Sequence, residues 1–405
     1  MVERKKKTKK PIKKIARAKV GRTKTTKNKT VKKVARRVVK KATKKATRAK
    51  KRVPATSILP KHRGNPIMGP AHDSPWQSAA VLNPAALTQD GKIHLFYRAL
   101  GHEGISRIGH ATSTDGIHFA RSKEPVFVAQ NITEAKKHWP RTSPARLTYN
   151  KELYASGGGW GGCEDPRAVN IEGRVYLTFN MFNGWNSMRV AYTSISESDL
   201  RNNIWNWDDF EYLSRPGDRQ KNWILFPEKI NGKFALFHNL DMGDPTRVHI
   251  AYLNDLDMYK TPNQKEAPDP QALPDHTVAW HNRTRSASAP PIKTTSGWLL
   301  FYHAMDKDDP GRYKVGAMLL DLTDPTKVLY RSNYPILEPD EWYENDWKPG
   351  IVYANGAVVK DGTLYLYYGG GDKYVAVAHT KLDDFLRKLT HSEHMVLSLK
   401  PTFTA

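Results

Sequence analysis

The chain has 405 residues, 65 Lys and Arg against 40 Asp and Glu, and a net charge of +25. Residues 1–52 hold 26 of those bases and one acid, Glu3, so the rest of the chain carries 39 of each sign and the basic character belongs to the N-terminal segment alone. No run approaches the ~18 apolar residues of a membrane span, and the single cysteine, Cys163, excludes an internal disulfide and a cysteine-rich metal site, so a cytoplasmic protein is expected.

The first segment in chain order is "KKTKKPIKKIARAKVGRTKTTKNKTVKKVARRVVKKATKKATRAKKR". It has no aromatic residue and too little apolar surface to offset its ordering entropy, so disorder is expected. Such a run attracts nucleic acid or another polyanion by charge and counterion release, without sequence readout. It resembles the Lys/Ala/Thr-rich tails of linker-histone-like proteins. A solvated arm that aids solubility is the alternative. No apolar core follows the charges, so a signal peptide is not expected here. The expected division is a tail and linker over 1–59, a folded domain over 60–390 and a C-terminal extension over 391–405.

The folded part repeats itself. Five segments share a turn glycine followed by an alternating aromatic strand: "DGKIHLFYRA", "EGRVYLTFNM", "NGKFALFHNL", "SGWLLFYHA" and "DGTLYLYYGGGD". Their glycines are Gly91, Gly173, Gly232, Gly297 and Gly362. Alternation of β-branched and aromatic residues predicts strands, and the Asp-Gly, Glu-Gly and Asn-Gly pairs predict the turns before them. Each unit has a further strand on either side. Five such units, with almost no helical pattern, predict an all-β fold, a five-bladed β-propeller preceded by the basic tail. A β-sandwich is the competing architecture.

The innermost strand of each blade lines a propeller's channel. The segments with Pro84, Pro166, Pro227 and Pro290 are expected there, because proline cannot donate to a ladder and is tolerated where a strand starts or is unpaired. Asn83, Asp165, Arg167, Glu228 and Asn355 would then converge on one polar funnel, with the run "GGGWGG" as a loop over its mouth. Carboxylates, cations and aromatic faces together suit a sugar. Inverting hydrolysis needs an acid for the leaving oxygen and a base for water. If phosphate attacks instead, no base is needed and cations must hold the dianion.

The motifs "NPAAL", "YRA", "SRIGHATSTDGIHF", "EDPRAV", "LFPEKINGKFALFH", "APPIKTTSGWLLFYHA", "GAMLLDLTDPTKVLYRSNYPILEPDEWYE" and "GGGD" occur in that order. Over roughly residues 60–385 the chain resembles glycoside hydrolase family 130, the β-mannoside phosphorylases and related mannosidases. The resemblance implies a five-bladed propeller with a β-mannoside oligosaccharide and phosphate as substrates, and no metal or organic cofactor. It implies that Asp165 is the acid, acting on the leaving oxygen through a sugar hydroxyl. Asn83, Arg98 and Asp372 match residues that hold the mannosyl unit. His238 matches a phosphate-side histidine, and Arg167, Arg189 and Lys221 are cations at family-like positions assigned to phosphate. Tyr302 and His303 are expected to line the channel, and Glu228 to contact substrate. Self-association, as a homo-oligomer, is also common in the family.

The chain departs from the family pattern in three places. The fourth repeat reads "RTRSASAPPI", with Thr284 where a lysine is usual and Ser286 and Ser288 in place of glycines; Arg283 or Arg285 could supply the missing charge. The fifth reads "YANGAVV" where Pro-Cys-Gly is usual, and residues 130–162 form a longer stretch than usual before the acid. Two alternatives to a phosphorylase therefore stand. One is a hydrolase with Glu228 or another funnel carboxylate as base. The other is a non-catalytic glycan-binding propeller tethered to polyanions by the tail. Cys163 reads as a small buried residue.

Overall fold

The alternating aromatic segments form strands, and the Gly pairs form the turns that join them. Asp90–Gly91, Glu172–Gly173, Asn231–Gly232 and Asp361–Gly362 have positive φ at both residues, from 49° to 81°. That is the hairpin turn whose twist matches the flanking strands. The computed structural model describes residues 57–129, 159, 161–182, 188–214, 220–238, 249–256, 271–272, 280–306 and 308–391. The chain divides into two units, 1–55 and 56–405. The basic segment and the C-terminal extension after 391 lie outside the described residues.

The second unit is all-β, with two short α-helices among the described residues. The first sheet contains β1 (Ala80–Gln89), β2 (Lys92–Leu100), β3 (Ile105–Ser113), β4 (Ala120–Arg121), β5 (Gly161–Ile171), β6 (Arg174–Phe182), β7 (Met188–Ser196) and β8 (Glu211–Tyr212). It is two antiparallel meanders stitched together by the parallel pairs Ile105–Gly161 and Ser106–Gly162. The second sheet contains β9 (Ile224–Leu225), β10 (Phe234–His238), β11 (His249–Leu253) and β12 (Gln271–Ala272). The third contains β13 (Arg283–Ala287), β14 (Ile292–Thr294), β15 (Gly297–Asp306), β16 (Asp309–Leu320) and β17 (Val328–Arg331). The fourth contains β18 (Val352–Lys360), β19 (Thr363–Gly370) and β20 (Tyr374–Lys381). Helix α1 (Glu197–Arg201) follows β7, and α2 (Leu382–His391) follows β20.

Each meander shares an apolar core with the next in sequence. Phe96 and Ile108 pack with Leu177 and Phe179. Val169 and Val190 pack with Leu236 and Ala251. Phe226 and Phe237 pack with Trp298 and Leu300, and Leu299 and Phe301 with Leu366, Tyr368 and Phe385 of α2. The last meander packs back on the first, Tyr367 and Val377 against Leu95 and Tyr97. The segment before β1 reinforces that meeting, because Lys61 and Met68 bridge to Ala378 and Val375 of β20. Full burial of one such aromatic or aliphatic side chain contributes about 1.5–3 kcal/mol.

The inner strands carry an irregularity that aims side chains. Register shifts interrupt β1 between Leu82 and Ala85, β5 between Glu164 and Arg167, β13 between Thr284 and Ser286, and β18 between Ala354 and Gly356. A bulge of this kind leaves a residue out of the ladder and redirects it. The displaced residues include Asn83, Asp165, Arg285 and Asn355.

Candidate active site

The bulges of β1, β5 and β18 bring their polar residues to one place. Asn83 and Asp165 both sit in the left-handed region, at φ 48° and 51°, where Asn and Asp are tolerated better than most residues. Asn83 Nδ2 donates to Asp165 Oδ1 at 2.7 Å. Asn180 of β6 donates to Asp165 Oδ2 at 3.4 Å and to Asn222 Oδ1 at 3.2 Å. Asn222, just before β9, is a third left-handed residue, at φ 62°.

Two buried arginines frame Asp165. Arg98 of β2 pairs with Glu164 at 2.9 Å and with Asp165 at 3.5 Å, and Lys221 closes on Glu164 at 3.1 Å. Arg167 reaches inward from β5. Its guanidinium donates to the carbonyls of Asp165 (2.7 Å) and Ser288 (3.2 Å) and to the side-chain oxygens of Asn222 (3.2 Å) and Asn355 (3.3 Å). One guanidinium thus ties β5 to the residue after β13, to β18 and to the segment before β9. Asn355 donates in turn to the carbonyl of Asn83 at 3.3 Å.

Burial alone would push the Asp165 carboxyl up. Arg98, Lys221 and Arg167, with the hydrogen bond from Asn83, outweigh it and hold the group below the usual carboxylate range. Burial likewise works against the charge of Arg98, but Glu164, Asp165 and Asp372 raise its pKa. Asp372, another left-handed residue at φ 54°, pairs with Lys348 at 2.9 Å.

The glycine-rich run has a steric reason. Gly162 has φ +98°, and a Cβ there would lie 2.1 Å from the Ser106 carbonyl oxygen. A Cβ on Gly159 would lie 2.8 Å from the Arg98 guanidinium. The lack of a Cβ at Gly159 and Gly162 is what lets their backbone lie against Arg98 and Ser106. Cys163, fully buried beside it, has its thiol pushed up to about 12 by burial, which leaves it inert.

Asn83, Arg98, Asp165, Arg167, Lys221 and Asn355 therefore come together, with Asp372 in the same electrostatic field. Arg189 of β7 donates to the Ser214 carbonyl at 3.0 and 2.5 Å and lies over the Tyr212 ring. His238 ends β10, and its side chain lies outside the described residues. Two expectations are corrected. Glu228 is half-exposed near the hairpin turn and pairs with Lys293 of β14 at 2.6 Å; β9 is only two residues long, so Pro227 marks the end of that strand and not its inner part. Tyr302 packs in the apolar core with Trp280 and Trp298 and bonds His281 at 3.1 Å. Its neighbour His303 faces the opposite way and bonds Ser286 (3.1 Å) and the Ala354 N–H (2.9 Å).

Sequence reasoning missed Glu164, Asn180, Asn222, Ser288 and Lys348. A repeat alignment could have found Asn222. Asn83 and Asp165 stand eight residues before Gly91 and Gly173, and Asn222 stands ten before Gly232, displaced by the different length of that hairpin. Among the described residues no group of His, Cys, Asp and Glu is arranged to hold a metal ion, and no helix is long and apolar enough to cross a membrane.

The family model described as β-1,4-mannooligosaccharide phosphorylase, glycoside hydrolase family 130, matches residues 46–391. The chain belongs to glycoside hydrolase family 130. It is 35% identical over 328 residues to a 1,2-β-oligomannan phosphorylase of Thermoanaerobacter sp., a match covering 79% of this chain and 96% of that protein. It is 33% identical over 335 residues to a β-1,2-mannobiose phosphorylase of the same organism, again covering 79% and 96%. The solved β-1,2-mannobiose phosphorylase of Listeria innocua superposes with a TM-score of 0.61 at 23% identity, covering 82% of this chain and 99% of that one. That last likeness speaks for the fold of this family 130 chain.

Proposed function

We propose that this protein is an inverting β-mannoside phosphorylase and that Asp165 is its acid. The observation that carries the reading is the setting of Asp165 among Arg98, Arg167 and Lys221. A hydrolase needs a second carboxylate free to activate water. Here Glu164 is buried between Arg98 and Lys221, Asp372 is paired with Lys348, and Glu228 is turned away. A surplus of cations suits phosphate as the nucleophile.

In the reaction a phosphate oxygen attacks the anomeric carbon as the glycosidic C–O bond breaks, with inversion. The leaving oxygen takes a proton from Asp165, relayed through a sugar hydroxyl, and Asp165 regains one from the phosphate. The products are mannose 1-phosphate and a shortened acceptor. Asp165 must be protonated to begin, and Arg98, Lys221 and Arg167 favour its ionised form. A bound phosphate dianion offsets the same cations and so raises the carboxyl toward protonation. Asn83, Arg98 and Asp372 hold the mannosyl unit in this reading, and Arg167, Arg189, Lys221 and His238 serve phosphate.

The meanders that share successive cores, the last packed on the first, support a five-bladed propeller as the fold. The names of the two relatives at 35% and 33% identity support a β-1,2-linked substrate. Purified protein is incubated with β-1,2- and β-1,4-mannobiose, with and without phosphate. Phosphate-dependent release of mannose 1-phosphate from the β-1,2 sugar is expected. Free mannose without phosphate would favour the hydrolase.

We also propose a non-specific polyanion-binding role for residues 1–52, on their charge alone. Their deletion is expected to abolish retention on heparin or DNA and to leave turnover intact, since the remaining chain balances its charges. Retention by the truncated chain would refute this.

A further inference from the structure

Trp342 is the most exposed of the large hydrophobic side chains among the described residues, at 60%. Single exposed apolar residues are ordinary, but this one has company. It opens the 3₁₀ turn Trp342–Glu344 and meets the Tyr374 ring at 5.5 Å, with the planes 70° apart. Beside the two rings is a paired carboxylate. Asp346 Oδ2 accepts from Lys373 Nζ and from the Tyr374 hydroxyl, both at 2.8 Å. Those bonds hold its carboxyl below the usual range, so it stays an acceptor, and both fall on one oxygen. Lys373 lies over the Tyr374 ring at 5.2 Å and over the Trp347 ring at 5.9 Å.

This aromatic step is continuous with the cluster around Asp165. Gly369 and Gly370 end β19, and a Cβ on Gly369 would lie 2.0 Å from Asn83 Oδ1. Asn83 itself bonds Asp165. Asp372, Lys373 and Tyr374 follow in succession, and their partners Lys348, Asp346 and Trp342 run the other way along the chain. The Lys348 N–H joins the two segments by donating to the Gly371 carbonyl at 2.9 Å. They lie this close because Gly370 and Gly371 lack a Cβ, which at either position would meet Tyr343 at 2.9 Å. Tyr374 is five residues from Gly369, at most about 18 Å of chain. The step is therefore within reach of a short oligosaccharide whose end enters the cluster.

The chemistry says what the step can receive. The two rings offer an apolar surface, and the Asp346 carboxylate offers an acceptor to a hydroxyl beside it. That pairing suits a pyranose, which has an apolar face and a rim of hydroxyls. Lys373 cancels the Asp346 charge, so the step draws neither an anion nor a cation. An apolar peptide laid here would strip water from the Asp346–Lys373 pair and give it nothing in return. The partners of Asp165 are Asn83, Arg98 and Asn180, not Trp342 or Tyr374, so the sugar unit on the step is not the one that reacts.

We infer that Trp342, with Tyr374 and Asp346, is a platform for the mannosyl units of a longer β-mannoside chain, beyond the unit held at Asp165, and that it sets a preference for chain length. The inference rests on the mannoside reading, and its test separates the two. Full-length parent, Trp342→Ala and Trp342→Phe proteins are titrated calorimetrically, without phosphate, with β-1,2-mannobiose and with β-1,2-mannotetraose. The parent should bind the tetrasaccharide more tightly than the disaccharide. Trp342→Ala should weaken the tetrasaccharide at least about fivefold, the order expected when one aromatic contact is lost. The disaccharide Kd should stay within about twofold, and Trp342→Phe should fall between. With phosphate added, the KM for the tetrasaccharide should rise by the same factor in Trp342→Ala, with kcat and the KM for phosphate unmoved. Equal losses for both sugars would place Trp342 at the reacting unit or in the support of the fold, and would overturn the inference. So would unchanged affinities, including the case in which Trp342→Ala instead dissociates a dimer in sedimentation, which would make this face an interface between copies of the chain. If the parent turns over neither sugar, the phosphorylase reading fails, and the calorimetry still decides the platform: a loss confined to the tetrasaccharide upholds it, and any other result, absence of binding included, removes it.

Discussion

Asn83 and Asp165 stand 82 positions apart and meet side chain to side chain at 2.7 Å. Each lies in a bulge with a left-handed backbone and is followed by a proline. The same local device, used twice, turns one residue into the proposed acid and the other into its hydrogen-bond donor. Asn83 helps hold the Asp165 carboxyl low. Asn83→Ala should therefore raise it, keep the acid protonated to higher pH, and move the basic limb of the kcat profile upward. An unmoved limb in a folded variant would separate Asn83 from the acid.

Asp165→Asn keeps a side-chain oxygen to accept from Asn83 Nδ2 and removes the transferable proton. Positioned acid catalysis contributes about 10²–10⁴-fold, so kcat should fall by that order in a chain that still folds. Near-parental turnover would remove Asp165 from the mechanism.

Glu164 is fully buried, between Arg98 and Lys221. Glu164→Leu would strand the Arg98 charge in the interior, with only the longer Asp165 contact beside it. Breaking one side of a buried pair costs about 3–5 kcal/mol. Urea unfolding of Glu164→Leu should show a loss of that order, whereas Glu172→Leu, whose partner Lys229 lies at the surface, should lose less than about 1 kcal/mol. Equal losses would mean that the buried pair is not what holds β2 to β5.

Much of this was legible in the sequence, for local reasons. The turn pairs announce the hairpins because few residues adopt two successive positive φ values, and Asp90–Gly91 and Asp361–Gly362 do so. Asp165 stands out because Glu-Asp-Pro-Arg is costly to maintain in an ordinary strand. Glu228 misled because its proline was read as marking an inner strand, while β9 is too short for that. Glu164 was passed over because a buried carboxylate looks like an exposed one until its partners, Arg98 and Lys221, 66 and 57 residues away, are folded around it. Tyr302 and His303 differ only in strand phase, and a one-residue change of phase exchanges core for site.

The last prediction concerns acid stability. His94 Nδ1 lies 3.0 Å from His110 Nε2, and the His110 ring is held between Phe96 and Trp205 at 5.1 and 4.6 Å. Burial, with His94 beside it, pushes His110 down to about 3. Burial, then Arg331, does the same to His281, also to about 3. Both rings are neutral in the folded chain, while in the unfolded chain they take up protons near pH 6.5. The unfolded state therefore binds more protons between those values, and stability falls as pH drops from about 6.5 toward 3. At pH 5 each ring should cost roughly 2 kcal/mol relative to pH 7. Urea midpoints of the parent, His110→Gln and His281→Gln are measured at both values. Each variant should lose less than the parent on acidification, even if it starts less stable. Comparing slopes cancels carboxyls such as Glu344, whose pKa burial raises. Identical slopes in all three proteins would mean that the two imidazoles accept protons in the folded state and that their burial is looser than their packing implies.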